Sequence, residues 1–132
     1  MRYRMKTLTL SQFIDDAKLL STQDKTIIPF LTKRTFIIFH VKPNTVRGKH
    51  AHKKTKQALF CIQGSVTIKL NNGKRKKTYR LTKPNKGVFI DRMIWSEMYD
   101  FSPNAILVVF ASEYFNKPDY IRDYKKFLQK AR

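Results

Sequence analysis

The feature that most constrains the fold is a succession of short apolar and β-branched runs, each closed by turn residues. Thr35–Val41, Ala58–Ile62, Ser65–Leu70, Thr78–Leu81, Val88–Ile90, Ile94–Tyr99 and Ala105–Ala111 all read as strands. Between them stand Lys42-Pro43-Asn44, Gly64, Asn71-Asn72-Gly73 and Pro84-Asn85-Lys86-Gly87, residues that supply the tight or left-handed backbone a reversal needs. Ser65–Leu70 alternates apolar and polar side chains, so with Asn71-Asn72-Gly73 behind it the segment makes one arm of a hairpin returning as Thr78–Leu81. Residues 1–10 supply a first strand, and Ser11–Asp16 reads as a short helical turn with Ser11 as its N-cap. Only Tyr120–Lys130 has helical composition, with Ile121, Tyr124, Phe127 and Leu128 on one stripe. Many short strands and a single C-terminal helix predict an all-β barrel or jelly roll. Without an internal repeat or low-complexity linker, residues 1–132 form one domain.

The surface of such a barrel would be strongly basic, since the formal net charge is +19. The lysines are spread along the chain, as on a solvated surface, and only Lys74-Arg75-Lys76-Lys77 is dense. That run follows a hairpin turn, which places it on an exposed loop or edge strand. Charge by itself does not make a nucleic-acid binder, and none is expected as partner. No apolar run approaches the length of a membrane span. The first residues, Met-Arg-Tyr-Arg-Met-Lys, lack the apolar core of a secretory signal. With a single cysteine, Cys61, in an apolar run and no internal disulfide possible, the expectation is a cytoplasmic protein. Cys61 itself reads as a small buried hydrophobe.

Function is concentrated in Arg47-Gly48-Lys49-His50-Ala51-His52-Lys53-Lys54. Side chains two apart on a strand share a face, so His50 and His52 point the same way. Two inward imidazoles flanked by Arg and Lys describe a pocket for an anionic ligand. From Gly48 to Gly64 the chain reads G-x-H-x-H, four residues, Gln57, six residues, G. This resembles the first signature of the cupin superfamily, where two His and a Glu ligate a metal inside a small β-barrel. Here Gln57 replaces the Glu, and Ser96 stands where the second signature would place a His. Two neutral imidazoles alone are an incomplete site for Zn or Fe, so no metal or other cofactor is expected. The histidines are left free for acid–base work near neutral pH.

Arg47-Gly48-x-His50-Ala51-His52-Lys53-Lys54-x-x-Gln57, then Gly64-Ser65-Val66, Trp95, and the blocks Asp100–Ser102, Leu107–Phe115 and Asp119–Tyr124 resemble the metal-free dTDP-4-keto-6-deoxyhexose 3,4-ketoisomerase family of cupins. The match runs over about residues 28–128. The resemblance implies a cupin-type jelly roll, a homodimer, and the substrate dTDP-4-keto-6-deoxy-D-glucose. It further implies conversion to a 3-keto sugar through an enediolate, on the way to 3-amino-3,6-dideoxy sugars of surface polysaccharides. It makes His50 the base and His52 its assistant. Arg47, Lys53 and Gln57 become candidates for orienting sugar and diphosphate, Trp95 for lining the pocket, and Arg122 for contacting the diphosphate. Two departures stand out: Phe36 where the family carries a tyrosine, and Ser96 where His or Arg commonly follows the tryptophan. These leave a cupin sugar-nucleotide epimerase and an inactive sugar-nucleotide-binding module as alternatives.

Overall fold

A computed structural model of the chain describes residues 3–22 and 26–131. Two five-stranded antiparallel sheets pack face to face as a jelly-roll barrel. The strands are β1 (Met5–Thr9), β2 (Ser11–Ile14), β3 (Lys18–Ser21), β4 (Arg34–Phe39), β5 (Arg47–His52) and β6 (Gln57–Gln63), followed by β7 (Val66–Asn71), β8 (Lys76–Leu81), β9 (Lys86–Ile90), β10 (Trp95–Tyr99), β11 (Ile106–Ala111) and β12 (Tyr120–Ile121). A helix, α1 (Tyr124–Ala131), closes the chain. One sheet runs β1-β9-β6-β11-β4 and the other β12-β5-β10-β7-β8, while β2 and β3 form a separate hairpin.

Alternation decides what each strand buries. Leu59 and Cys61 of β6, Val88 and Ile90 of β9, and Leu107 and Val109 of β11 meet Ile68, Leu70 and Met98 from the opposite sheet in the inner core. Ala58 and Phe60 face outward, where Leu8, Leu10, Ile28 and Phe89 cover them. Strand β6 is therefore apolar at nearly every position because both of its faces are buried. Cys61 sits in this core, 1% exposed, its thiol donating to the Gln63 carbonyl at 3.1 Å, and burial pushes its pKa up.

The predicted hairpin forms as expected. Asn72 Oδ1 accepts from the amides of Lys74 and Arg75, Gly73 takes φ +95°, and the basic run lies on the tip and on edge strand β8. Two expectations fail. Ser11–Asp16 is not a helical turn: Ser11–Ile14 is strand β2, paired with β3 from Ser11↔Ser21 to Ile14↔Lys18. Asp15 turns the chain by accepting from the Ala17 amide at 2.9 Å, so its side chain caps a reversal and not a helix. At the other end, Tyr120 and Ile121 pair with His52 and Ala51 as β12, and the helix starts only at Tyr124. Asp123 caps it, accepting from the Lys126 amide. No helix among the described residues is long and apolar enough to cross a membrane.

Candidate active site

Strand β5 lies between β12 and β10. Its Ala51 faces out, packed with Met93, Trp95, Ile121 and the fully buried Phe127 of α1. His50 and His52 therefore face the barrel interior, their ring centroids 5.0 Å apart. The strand does not run regularly: Ser96 pairs with His50 but Glu97 pairs with Gly48, so Lys49 is the extra residue of a β-bulge. Gly48 and Lys49 take φ +85° and +57°. A Cβ at Gly48 would stand 2.8 Å from the Ser96 carbonyl oxygen, so only glycine fits where the two backbones approach. The bulge turns the Gly48 carbonyl back toward His50, which donates to it from Nδ1 at 3.0 Å. A carbonyl only accepts, so the proton is on Nδ1 and the lone pair on Nε2. Burial, then the neighbouring His52, Arg122 and Arg47, lower the His50 pKa to about 4, which keeps the ring neutral at pH 7.

His52 is held differently. Its Nδ1 donates to Asp119 Oδ2 at 2.9 Å. The same carboxylate accepts from the Thr55 hydroxyl and, at 2.7 Å through Oδ1, from the Lys54 amide. Burial raises the Asp119 pKa, but these hydrogen bonds outweigh it and leave the carboxylate below its ordinary range. For His52 burial dominates: it lowers the pKa, Asp119 works against it, and Arg34 and Arg122 add to the lowering. Its Nε2 is buried without a hydrogen-bond partner among the described residues. Both rings touch Tyr120, with centroids 4.9 Å from His50 and 4.4 Å from His52, and the Arg122 guanidinium lies over the Tyr120 ring, 4.5 Å from its centroid.

Not all sequence-predicted residues meet here. Arg47 is exposed at the start of β5, close enough for its charge to lower the His50 pKa. Gln57 is buried on the inner face of β6, in phase with Leu59 and Cys61. The Lys53 side chain is exposed beyond His52; its amide donates to the Asp119 carbonyl and its own carbonyl accepts from Arg92. Trp95 lies on the opposite face of the sheet from the imidazoles. Its indole donates to Glu97 at 3.0 Å and its ring meets Tyr124 and Phe127, so it seats α1 and does not line the histidine pocket. Ser96, its neighbour, is the inward residue, directly across from His50. The metal set that a cupin barrel implies does not fit: Gln57 and Ser96 replace two ligands, and the described residues hold no group of three or more His, Cys, Asp or Glu placed for an ion. Asp119, Thr55 and Tyr120 were not singled out from the sequence.

A jelly-roll barrel with two neutral imidazoles inside, neither Nε2 hydrogen-bonded among the described residues, is a cupin equipped for proton transfer. Comparison with known proteins narrows the class. The family model FdtA: WxcM-like, C-terminal matches residues 2–132, and the chain belongs to this family. It is 37% identical over 123 residues to the TDP-4-oxo-6-deoxy-alpha-D-glucose-3,4-oxoisomerase of Aneurinibacillus thermoaerophilus, covering 92% of this chain and 88% of that one. A 3,4-ketoisomerase from Helicobacter canadensis superposes with a TM-score of 0.92 at 39% identity, over 98% of both chains. A sugar 3,4-ketoisomerase from Thermoanaerobacterium thermosaccharolyticum, solved with TDP, gives 0.92 at 36% identity, over 99% of this chain and 96% of that one. The same enzyme has been solved as a histidine-to-asparagine variant with TDP-4-keto-6-deoxyglucose.

Proposed function

We propose that this protein is a nucleotide-sugar 3,4-ketoisomerase that converts dTDP-4-keto-6-deoxy-D-glucose to the 3-keto isomer. One observation carries the reading: two neutral imidazoles, 5.0 Å apart on one strand, each with its Nδ1 hydrogen anchored and its Nε2 without a hydrogen bond among the described residues. A 1,2-carbonyl shift needs a base for an acidified C–H, a second group to relay protons, and donors for the enediolate oxygens.

His50 Nε2 takes the proton from C3, the C–H electrons form the C3=C4 bond, and the C4 carbonyl electrons move onto its oxygen. The hydroxyl proton then passes from O3 to O4 with His52 as relay. A proton returns to C4 as the O3 electrons close the C3 ketone. No atom is gained or lost, and the imidazoles finish as they began. Asp119 positions His52 by fixing its Nδ1 hydrogen. Gln57 orients the sugar from the inner wall, while Arg47, Lys53 and Arg122 serve the diphosphate at the rim, where an arginine fork suits phosphate oxygens. Trp95 is left out of the binding set. The protein acts as a single domain over residues 1–132, without metal or other cofactor, in the cytoplasm, upstream of a transaminase. It works as a homodimer, a reading supported by Phe13, Ile14 and Leu19 on the β2–β3 hairpin and Ile37 and Phe39 on edge strand β4, all exposed.

Incubation with dTDP-4-keto-6-deoxyglucose in deuterated water, followed by NMR, tests the reaction. A ketone at C3 with deuterium at C4 is expected. An inverted centre with the ketone still at C4 would make it an epimerase, and no exchange at C3 would make it a binding module.

A further inference from the structure

Arg34 enters the barrel from the other sheet. On β4, Phe36 and Ile38 pack against the inner core, and alternation places Arg34 on the same face. Its guanidinium carbon lies 5.1 Å from the Phe36 ring and 5.7 Å from the Phe115 ring. Phe115 packs on Tyr120 at 5.8 Å, and Tyr120 touches both imidazoles, so one aromatic layer joins Arg34 to the histidines. Its charge acts on His52 and helps lower that group's pKa.

What sets Arg34 apart is that its Nε is buried with no hydrogen-bond partner among the described residues. Arg80, by contrast, is spent on Thr67, Ser65 and the Asp100 carbonyl, and Arg92 on the Lys53 carbonyl. The carboxylate of the pocket, Asp119, already accepts from His52, Thr55 and Lys54. A buried guanidinium nitrogen without a partner is costly, and an anionic oxygen entering the pocket would complete it.

We propose that Arg34 is a catalytic residue of the isomerisation: its guanidinium binds the sugar oxygen that becomes anionic in the enediolate, held there by Phe36 and Phe115. The proposal rests on the 3,4-ketoisomerase reading. When the C3 proton leaves, the C4 carbonyl electrons settle on O4, and when the ketone forms at C3 that charge has passed through O3. A fixed cation with two forked donors serves both oxygens without itself gaining or losing a proton. Phe36 beside it has no hydroxyl to share the task. Arg47 and Arg122 are exposed at the rim and suit the diphosphate, which keeps part of its hydration; Arg34 is the inner cation, where charge is stabilised most strongly.

The test is steady-state kinetics of Arg34→Met and Arg34→Lys with dTDP-4-keto-6-deoxyglucose, alongside dTDP binding by calorimetry. Arg34→Met is expected to lower kcat by about 10²-fold or more, with dTDP affinity within about threefold of wild type. Guanidinium added to Arg34→Ala is expected to restore part of the rate, and the His52 nitrogens are expected to titrate at higher pH in Arg34→Met by ¹⁵N NMR. An unchanged kcat, or lost dTDP affinity with kcat kept, overturns the assignment. If Arg34→Met does not fold, Arg34→Lys decides: a reduced kcat with dTDP affinity kept supports the role, and wild-type values for both, or loss of both, overturn it. A wild-type chain that forms no 3-ketone sinks the reaction itself, whereas an active wild type beside an unimpaired Arg34→Met sinks only the role of Arg34.

Discussion

Replacing Asp119 by asparagine keeps the shape of the side chain but turns one of its two acceptors into a donor. In the wild-type protein all three partners donate: His52 Nδ1 and the Thr55 hydroxyl to Oδ2, and the Lys54 amide to Oδ1. The backbone amide of Lys54 has no alternative role, so the asparagine oxygen stays with it and the new NH₂ faces His52 and Thr55. Thr55 can rotate and accept; His52 can accept only by moving its proton from Nδ1 to Nε2. The lone pair then leaves the pocket, and the relay presents a donor where it needs an acceptor. Hydrogen bonds to a charged group contribute about 1.5–3 kcal/mol each, and exchanging one such bond for a weaker neutral one should cost about 2 kcal/mol of stability. The effect on rate should be larger, about 10²- to 10³-fold in kcat, because the wrong tautomer predominates in every molecule. Urea denaturation, initial rates and ¹⁵N NMR of the imidazoles read the three consequences separately. The reasoning is refuted if Asp119→Asn shows the flipped His52 tautomer yet keeps kcat within about threefold of wild type.

His50→Asn removes the base and should abolish ketone migration while dTDP binding stays near the wild-type value; retained turnover would move the base elsewhere. The low His50 pKa also predicts a pH dependence of stability. The native ring, with a pKa near 4 against 6.5 unfolded, binds fewer protons than the unfolded chain between those values, so stability rises with pH across that window and falls as acid is added. The full shift corresponds to about 3 kcal/mol at pH 7, an upper figure, and urea titrations at pH 4.5 and 7 should show a smaller loss in His50→Asn than in wild type. Gly48→Ala must carry φ +85° and a Cβ 2.8 Å from a backbone carbonyl. It should lose about 2 kcal/mol or more by denaturation and lose kcat as well, since the His50 anchor shifts with it. Phe127→Ala, on the outer face, should cost about 3–5 kcal/mol in stability while the surviving folded protein keeps wild-type KM.

The barrel and the histidine pair were legible because both follow from the two-residue period: strands alternate, and i, i+2 side chains share a face. Gln57 and Ser96 were legible through the resemblance to the two cupin signatures, which marks their places along the chain. That period also contained the answer for Trp95. If Ser96 occupies an inward position on β10, the residue before it must point out, and its ring goes to the helix. Asp119 was hidden by distance, 67 residues beyond the histidine it holds. Arg34 was hidden by company, one cation in a chain with 28 Lys and Arg. What distinguishes it is the missing partner, which only three dimensions reveal. The start of α1 was misplaced because Ile121 continues the apolar stripe equally well in a strand, and pairing with Ala51 decided the matter.

The bulge at Lys49 changes the parity of the strand. Counting by twos from His52, Arg47 would fall in with Ala51 and Lys49 on the outer face. Inserting one unpaired residue resets the count: Arg47 lies opposite Met98, a residue of the inner core, and so shares the face of His50 and His52. A single strand thus delivers a cation and two imidazoles to one cavity, which unbroken alternation forbids for residues at odd separation. Deleting Lys49 would restore regular alternation with Arg47 two places from His50, still on the inner face, and would remove the bend that turns the Gly48 carbonyl toward the His50 ring.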